Sequence, residues 1–119
     1  MQPLSNKGLH ILLTLETELE ALLLDSIQFL EYIHSILEQK HVEVVGVTNH
    51  IFENQSFTSA VCLKESHLTI HTWPEFKQLT FDVFLCNYTQ DNTEKVEQIA
   101  NEVVRYFSAK IIQEHKIYR

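Results

Sequence analysis

Glycine, proline and cysteine each occur only twice in this 119-residue chain. So little glycine and proline leaves no material for a flexible linker or a low-complexity tail, and there is no internal repeat. The length therefore fits one domain, residues 1–119, around one core. Cys62 and Cys86 form no CxxC pair, and no structural disulfide is expected between them in a cytoplasmic chain. Basic residues are also scarce, 9 against 16 acidic ones, for a net charge of −7. A phosphate-binding surface needs clustered cations, so a nucleic-acid partner is not expected. The acidic balance is compatible with a small cationic ligand. No apolar run approaches the roughly 20 residues of a bilayer span, so no membrane partner is expected. The opening MQPLSNKGLHILL has neither a basic cluster nor a small-residue cleavage site, which makes it a poor secretory signal and favours a cytoplasmic location.

What is present is an ordinary globular balance, with 45% apolar and 21% charged residues. GLHILLTL, 8–15, reads as a buried strand. Thr17 with Glu20 reads as a capping box for a helix running to about Gln39, with Leu19, Leu23, Ile27, Leu30, Ile33 and Leu37 inward. VEVVGVTNHIF, 42–52, is a second strand, ENQS a turn, and FTSAVCLK, 57–64, a third strand. HLTIHTW continues as strand until Pro74 stops it, and LTFDVFLC, 79–86, alternates again. Asp91 with Glu94 starts a second helix with Val96, Ile99, Val103 and Phe107 inward, and AKIIQEHKIYR adds a last strand. The order β-α-β-β-β-α-β predicts an α+β two-layer sandwich, an antiparallel sheet with two helices packed on one face. Neither face of the strand 79–86 reads as fully wet, which predicts a homodimer through the free face of the sheet.

KESHLTIHTWPE, 64–75, carries more polar groups than a plain strand needs. A zinc held by His67 and His71 fails on reach, because four strand residues separate them by roughly 13 Å; no metal is expected. A hydrolase triad lacks its GxSxG turn, since the glycines stand at 8 and 46. A third chemistry fits more residues. The Ser66 hydroxyl can attack the carbonyl of Glu65 and convert the peptide to an ester. Loss of the serine α-proton then expels the carboxylate, leaving dehydroalanine that hydrolyses to a pyruvoyl group. This needs a hydroxyl nucleophile, a base and donors for the oxyanion. The resulting ketone can form a Schiff base with a substrate amine and act as an electron sink.

At ESHLTIHTWPE, 65–75, the chain resembles the prokaryotic S-adenosylmethionine decarboxylase proenzyme family throughout. The resemblance extends to GLH at 8–10, His50 and Phe52 as an H-x-F pair, Thr58 eight residues before Ser66, and FDVFLC at 81–86. It covers nearly the whole chain and is least specific in both helices. It implies cleavage between Glu65 and Ser66, giving a β chain of 1–65 and an α chain of 66–119 that starts with the pyruvoyl cofactor. It implies His71 as the processing base that takes the α-proton, Thr58 as a hydroxyl assisting processing, and Cys86 as the acid that reprotonates the substrate carbon. It implies Glu75 as acceptor of the ribose hydroxyls and Phe52 as the ring stacked on adenine; an aromatic face also suits a sulfonium cation. The implied substrate is S-adenosylmethionine, the product an aminopropyl donor for polyamine (spermidine) synthesis, and the implied assembly a dimer with sites near its interface.

Taken singly, Cys86 and Phe52 read as core, Glu75 as a solvated turn residue, and His71 as an ordinary strand histidine; only their joint spacing with Ser66 says otherwise. On one straight strand Ser66 and His71 face opposite ways, roughly 16 Å apart. They meet only if the chain bends near Ser66 or a second subunit supplies one of them. Three departures bear on the substrate: Ser56, Phe57, Thr58 and Ser59 replace a glycine-flanked GVSG-like turn, Asn87 replaces a glycine, and Thr14 replaces an acidic residue. Two alternatives therefore stand beside the first reading: the same pyruvoyl chemistry on arginine or ornithine, and an unprocessed homologue that binds a ligand or partner without cutting.

Overall fold

The computed structural model describes residues 7–87 and 90–119. It has six strands: β1 (Leu9–Glu16), β2 (Val44–Ile51), β3 (Phe57–Leu63), β4 (Ser66–Trp73), β5 (Gln78–Leu85) and β6 (Lys110–Tyr118). Two helices join them, α1 (Ser26–Gln39) and α2 (Thr93–Tyr106), with short 3-10 turns at Glu20–Leu24 and Pro74–Phe76. The strands form one sheet in the order β2-β3-β4-β5-β1-β6, every neighbouring pair antiparallel. This is the expected α+β sandwich.

Alternation sorts the sheet into two faces. Leu9, Ile11, Leu13 and Leu15 of β1, Leu68 and Ile70 of β4, and Leu79, Phe81, Val83 and Leu85 of β5 share one buried cluster with Phe29, Ile33 and Leu37 of α1 and Val96, Ile99 and Val103 of α2. Each such side chain contributes about 1.5–3 kcal/mol by leaving water. The other face carries His10, Leu12 and Thr14 of β1, Thr80, Asp82 and Phe84 of β5, and His67, Thr69, His71 and Trp73 of β4. Neither helix covers it.

Three element boundaries differ from expectation. The helix expected from Thr17 is broken: Thr72 Oγ1 donates to the Leu23 carbonyl at 2.8 Å, and α1 restarts at Asp25, whose carboxylate accepts the Gln28 N–H at 3.0 Å. Ile27 and Leu19, placed inward from the pattern, are exposed as a result. Thr17 instead accepts the Leu19 N–H and donates to the Phe107 carbonyl. The run 57–73 is not one strand, because Lys64 and Glu65 turn it back on itself, with Leu63 opposite Ser66. The cap of α2 falls on Asn92, not Asp91; Asp91 accepts the Thr93 N–H at 3.0 Å.

Candidate active site

The Lys64–Glu65 hairpin creates the first half of the site. Two-residue hairpins need positive φ, which glycine or asparagine usually supplies within the loop. This loop has neither, and a φ of 150° falls on Ser66. Such backbone geometry is almost confined to glycine and costs about 1–3 kcal/mol in another residue. It also breaks the strand alternation, so that Ser66 Oγ lies 3.0 Å from Nδ1 of its sequence neighbour His67. The carbonyl oxygen of Glu65, on the peptide bond before Ser66, accepts the Cys86 N–H at 3.0 Å.

Asn92 holds this corner together. Fully buried, its amide donates to the Glu65 carboxylate at 2.7 Å and to the Cys86 carbonyl at 2.9 Å. Its backbone N–H donates to Asn87 Oδ1 at 2.8 Å. Gly8 closes the corner from β1. A Cβ there would lie 2.0 Å from the Leu85 carbonyl oxygen and 2.9 Å from Cys86 Cα, so only glycine lets the strands approach this closely. The Cys86 thiol is free and half-buried.

Beside Ser66, on the free face, Asp82 collects three donors. His10 Nε2 lies 2.7 Å and His67 Nε2 3.4 Å from its Oδ2, and the Thr69 hydroxyl donates to its Oδ1. His10 is buried, while the His67 side chain is 42% exposed. One donor atom from each of His10, His67 and Asp82 falls within 4.8 Å of the others, so the trio is also the one group of metal-capable side chains among the described residues. A depression of about 340 Å³ lined in part by Leu12, Thr14, Thr80, Asp82 and His115 adjoins it.

The second half of the site lies toward the far end of β4. Thr58 Oγ1 is 2.5 Å from His71 Nδ1, across the β3–β4 pair. The Phe52 ring stands 5.7 Å from His71 and 4.6 Å from His50, and Trp73 packs 4.1 Å from His71 on its other side. Glu75 follows Trp73 in the 3-10 turn and accepts from Asn54 at 3.4 Å.

The structure thus brings Glu65, Ser66 and Cys86 together, and separately Thr58, His71 and Phe52 with Glu75 nearby. It does not bring the two groups together within one chain. Ser66 and His71 occupy the first and sixth positions of β4, roughly 16 Å apart along the strand. The bend at Ser66 turns its hydroxyl toward His67, not His71. Sequence reasoning missed His10, His67, Asp82 and Asn92 as site residues. Asp82 carried a readable signal, a lone charge inside the apolar strand FDVFLC. His10 pairs with it only through the β1–β5 register, which no local spacing encodes.

A family model described as S-adenosylmethionine decarboxylase matches residues 9–119. The chain belongs to that family. Among curated relatives, an S-adenosylmethionine decarboxylase proenzyme of Thermodesulfovibrio yellowstonii is 32% identical over 108 residues, covering 87% of this chain and 74% of the relative. One of Clostridium botulinum is 31% identical over 84 residues, covering 67% of this chain and 72% of the relative. The crystal structure of the adenosylmethionine decarboxylase from Aquifex aeolicus superposes with a TM-score of 0.75 at 21% identity, covering 98% of this chain and 91% of that one, which establishes the shared fold.

Proposed function

We propose that this chain cuts itself between Glu65 and Ser66 and uses the resulting pyruvoyl group to decarboxylate S-adenosylmethionine. The observation that carries the reading is the peptide bond itself. Ser66 is held at a φ of 150°, and the Glu65 carbonyl is already hydrogen-bonded to the Cys86 N–H. A strained bond whose carbonyl oxygen faces a backbone donor is poised for attack, because negative charge developing on that oxygen strengthens the bond it already makes. These residues fit a pyruvoyl group at position 66, the cofactor the family resemblance implies.

When formed, the group supplies an electrophilic carbonyl that takes up electrons as carbon dioxide leaves. The chain's own residues bind the substrate and manage protons. Cys86 follows Leu85, the register partner of Ser66, and its N–H bonds the Glu65 carbonyl, so its thiol is the cysteine acid tied to the new chain start. Phe52 presents a ring suited to adenine and to a sulfonium, and Glu75 a carboxylate suited to ribose hydroxyls. The hydroxyl–imidazole pair of Thr58 and His71 serves to remove the Ser66 α-proton. Because both lie at the far end of β4, a second copy must supply them, with the uncovered sheet faces meeting in a homodimer and each of two sites shared. The product is then an aminopropyl donor for spermidine synthesis, and the setting is the cytoplasm. No helix among the described residues is long and apolar enough to cross a membrane.

Nothing in the comparisons favours arginine or ornithine as substrate, or a chain that never cuts. The test is carbon dioxide release from carboxyl-labelled S-adenosylmethionine, arginine and ornithine by the processed protein. Release from S-adenosylmethionine well above the other two is expected; equal or faster release from arginine overturns the assignment. Sharing of the site is tested by co-expressing Ser66→Ala with His71→Ala. Each is uncut alone, and the mixture should yield cut chains from the His71→Ala copy only.

A further inference from the structure

We infer that His67, oriented by Asp82, is the base that activates the Ser66 hydroxyl for self-cleavage, so that the opening step is completed within one chain while the later α-proton loss falls to His71. The inference rests on the self-cleavage proposed above and assigns its first chemical step. Four parts of an acyl-transfer centre stand in one corner. The nucleophile is Ser66 Oγ, and the base is His67 Nδ1 at 3.0 Å. The carboxylate that orients the base is Asp82, whose Oδ2 lies 3.4 Å from His67 Nε2. The oxyanion donor is the Cys86 N–H, 3.0 Å from the Glu65 carbonyl oxygen. The same arrangement of roles, hydroxyl to imidazole to carboxylate, defines nucleophilic triads on unrelated folds, and it is recognised by geometry, not by sequence order.

The tautomers are fixed by the acceptors. An ionised carboxylate only accepts, so Asp82 takes hydrogen bonds from His10 Nε2–H and the Thr69 hydroxyl and draws the remaining N–H of His67 to Nε2. That leaves His67 Nδ1 as a lone pair facing the Ser66 hydroxyl, which is what a base needs. His10 is a positioning residue: buried, it holds Asp82 at 2.7 Å and never reaches Ser66. That contact is of hydrogen-bond length. Two ligands of one zinc ion, each about 2.0–2.1 Å from it, would lie about 3.3 Å apart.

The step balances. The Ser66 hydroxyl proton passes to His67 Nδ1 as Oγ bonds the Glu65 carbonyl carbon. The tetrahedral oxyanion is held by the Cys86 N–H. The carbon–nitrogen bond breaks as the imidazolium returns the proton to the Ser66 nitrogen, leaving an ester and a free amine. No oxidant, reductant or water is consumed. The amine ends on a residue no longer confined by two peptide bonds, which releases the strain at φ 150°.

The experiment follows cleavage of freshly synthesised full-length protein by intact mass, with and without hydroxylamine, which cuts esters but not amides. His67→Asn keeps a hydrogen-bonding group near the Nδ1 position without basicity, and His67→Ala plus added imidazole tests rescue. Loss of a general base is expected to slow cutting about 10²–10⁴-fold. The uncut His67→Asn chain should resist hydroxylamine, because it is held at the amide. His71→Ala should instead accumulate a hydroxylamine-sensitive ester at Glu65–Ser66. Asp82→Asn should slow cutting by up to about 10⁴-fold, again with the amide accumulating. Circular dichroism establishes that each variant is folded, with His67→Gln used if His67→Asn is not. Cutting by His67→Asn within threefold of wild type, an ester in its uncut fraction, or wild-type cutting abolished by a chelator overturns the inference while leaving self-cleavage intact. A wild-type chain that neither opens nor yields an ester refutes self-cleavage and the base with it.

Discussion

Asn92→Ala, made in a Ser66→Ala background so that every molecule stays uncut, isolates the corner that holds the Glu65–Ser66 bond. The alanine cannot donate to the Glu65 carboxylate or to the Cys86 carbonyl, bonds of 2.7 and 2.9 Å in the native chain. A hydrogen bond to a charged group is worth about 1.5–3 kcal/mol and one to a carbonyl about 1 kcal/mol. Against this, the Asn92 Oδ1 is buried without a partner among the described residues, and its removal returns part of that cost. The net loss is about 2 kcal/mol. At about 3–5 °C per kcal/mol for a domain of this size, the melting temperature should fall by about 6–10 °C. The assay is thermal unfolding by circular dichroism, with urea midpoints as a second measure. A fall below about 2 °C would show that Glu65 and Cys86 are not held through Asn92, and the account of the corner would be wrong. In the Ser66 background, cutting should also slow, because the Glu65 carbonyl and the Cys86 N–H are no longer locked in register.

Gly8→Ala should destabilise by about 1–3 kcal/mol and slow cutting, since its Cβ meets backbone at 2.0 Å, whereas Gly46→Ala, with nothing nearer than 3.8 Å, should be neutral or stabilising; urea midpoints of the pair separate these outcomes. Asp25→Ala should cost about 1 kcal/mol through loss of the α1 cap, read in the same urea series. Alkali should unfold the chain through its tyrosines. Burial, with the charge of Asp25 adding, pushes the Tyr106 hydroxyl up to about 12, and burial first, then the hydrogen bond to Glu102, raises Tyr32. The folded state favours the neutral ring, so this stability is complete below the ordinary tyrosine value of 10.0 and is lost as pH rises through about 12, which a melting-temperature series from pH 9 to 12 measures.

Much of the fold could be read locally because its strands alternate and its helices carry apolar stripes. LTFDVFLC sorts Leu79, Phe81, Val83 and Leu85 to one side, and all four are buried. The misreadings share a cause, which is tertiary contact overriding local pattern. Where a helix from Thr17 was expected, Thr72, 49 residues from Leu23, bonds the Leu23 carbonyl and α1 begins only after Asp25. The Lys64–Glu65 turn gave no sign because it contains no glycine, asparagine or proline, and its strain is deferred to Ser66. Thr58 and His71 were each named through the family resemblance, while their pairing follows from register, which places them opposite one another. Asp82 with His10 and His67 was not legible, since their meeting depends on β1 lying beside β5 and on the broken alternation at Ser66.

The most direct measurement is the intact mass of the protein purified under native conditions. Two polypeptides of 65 and 54 residues are expected, the 54-residue one blocked at its amino terminus and lighter by one ammonia than a fragment beginning with serine. A single 119-residue species that persists on long incubation, with neither hydroxylamine-sensitive ester nor fragment, contradicts the account.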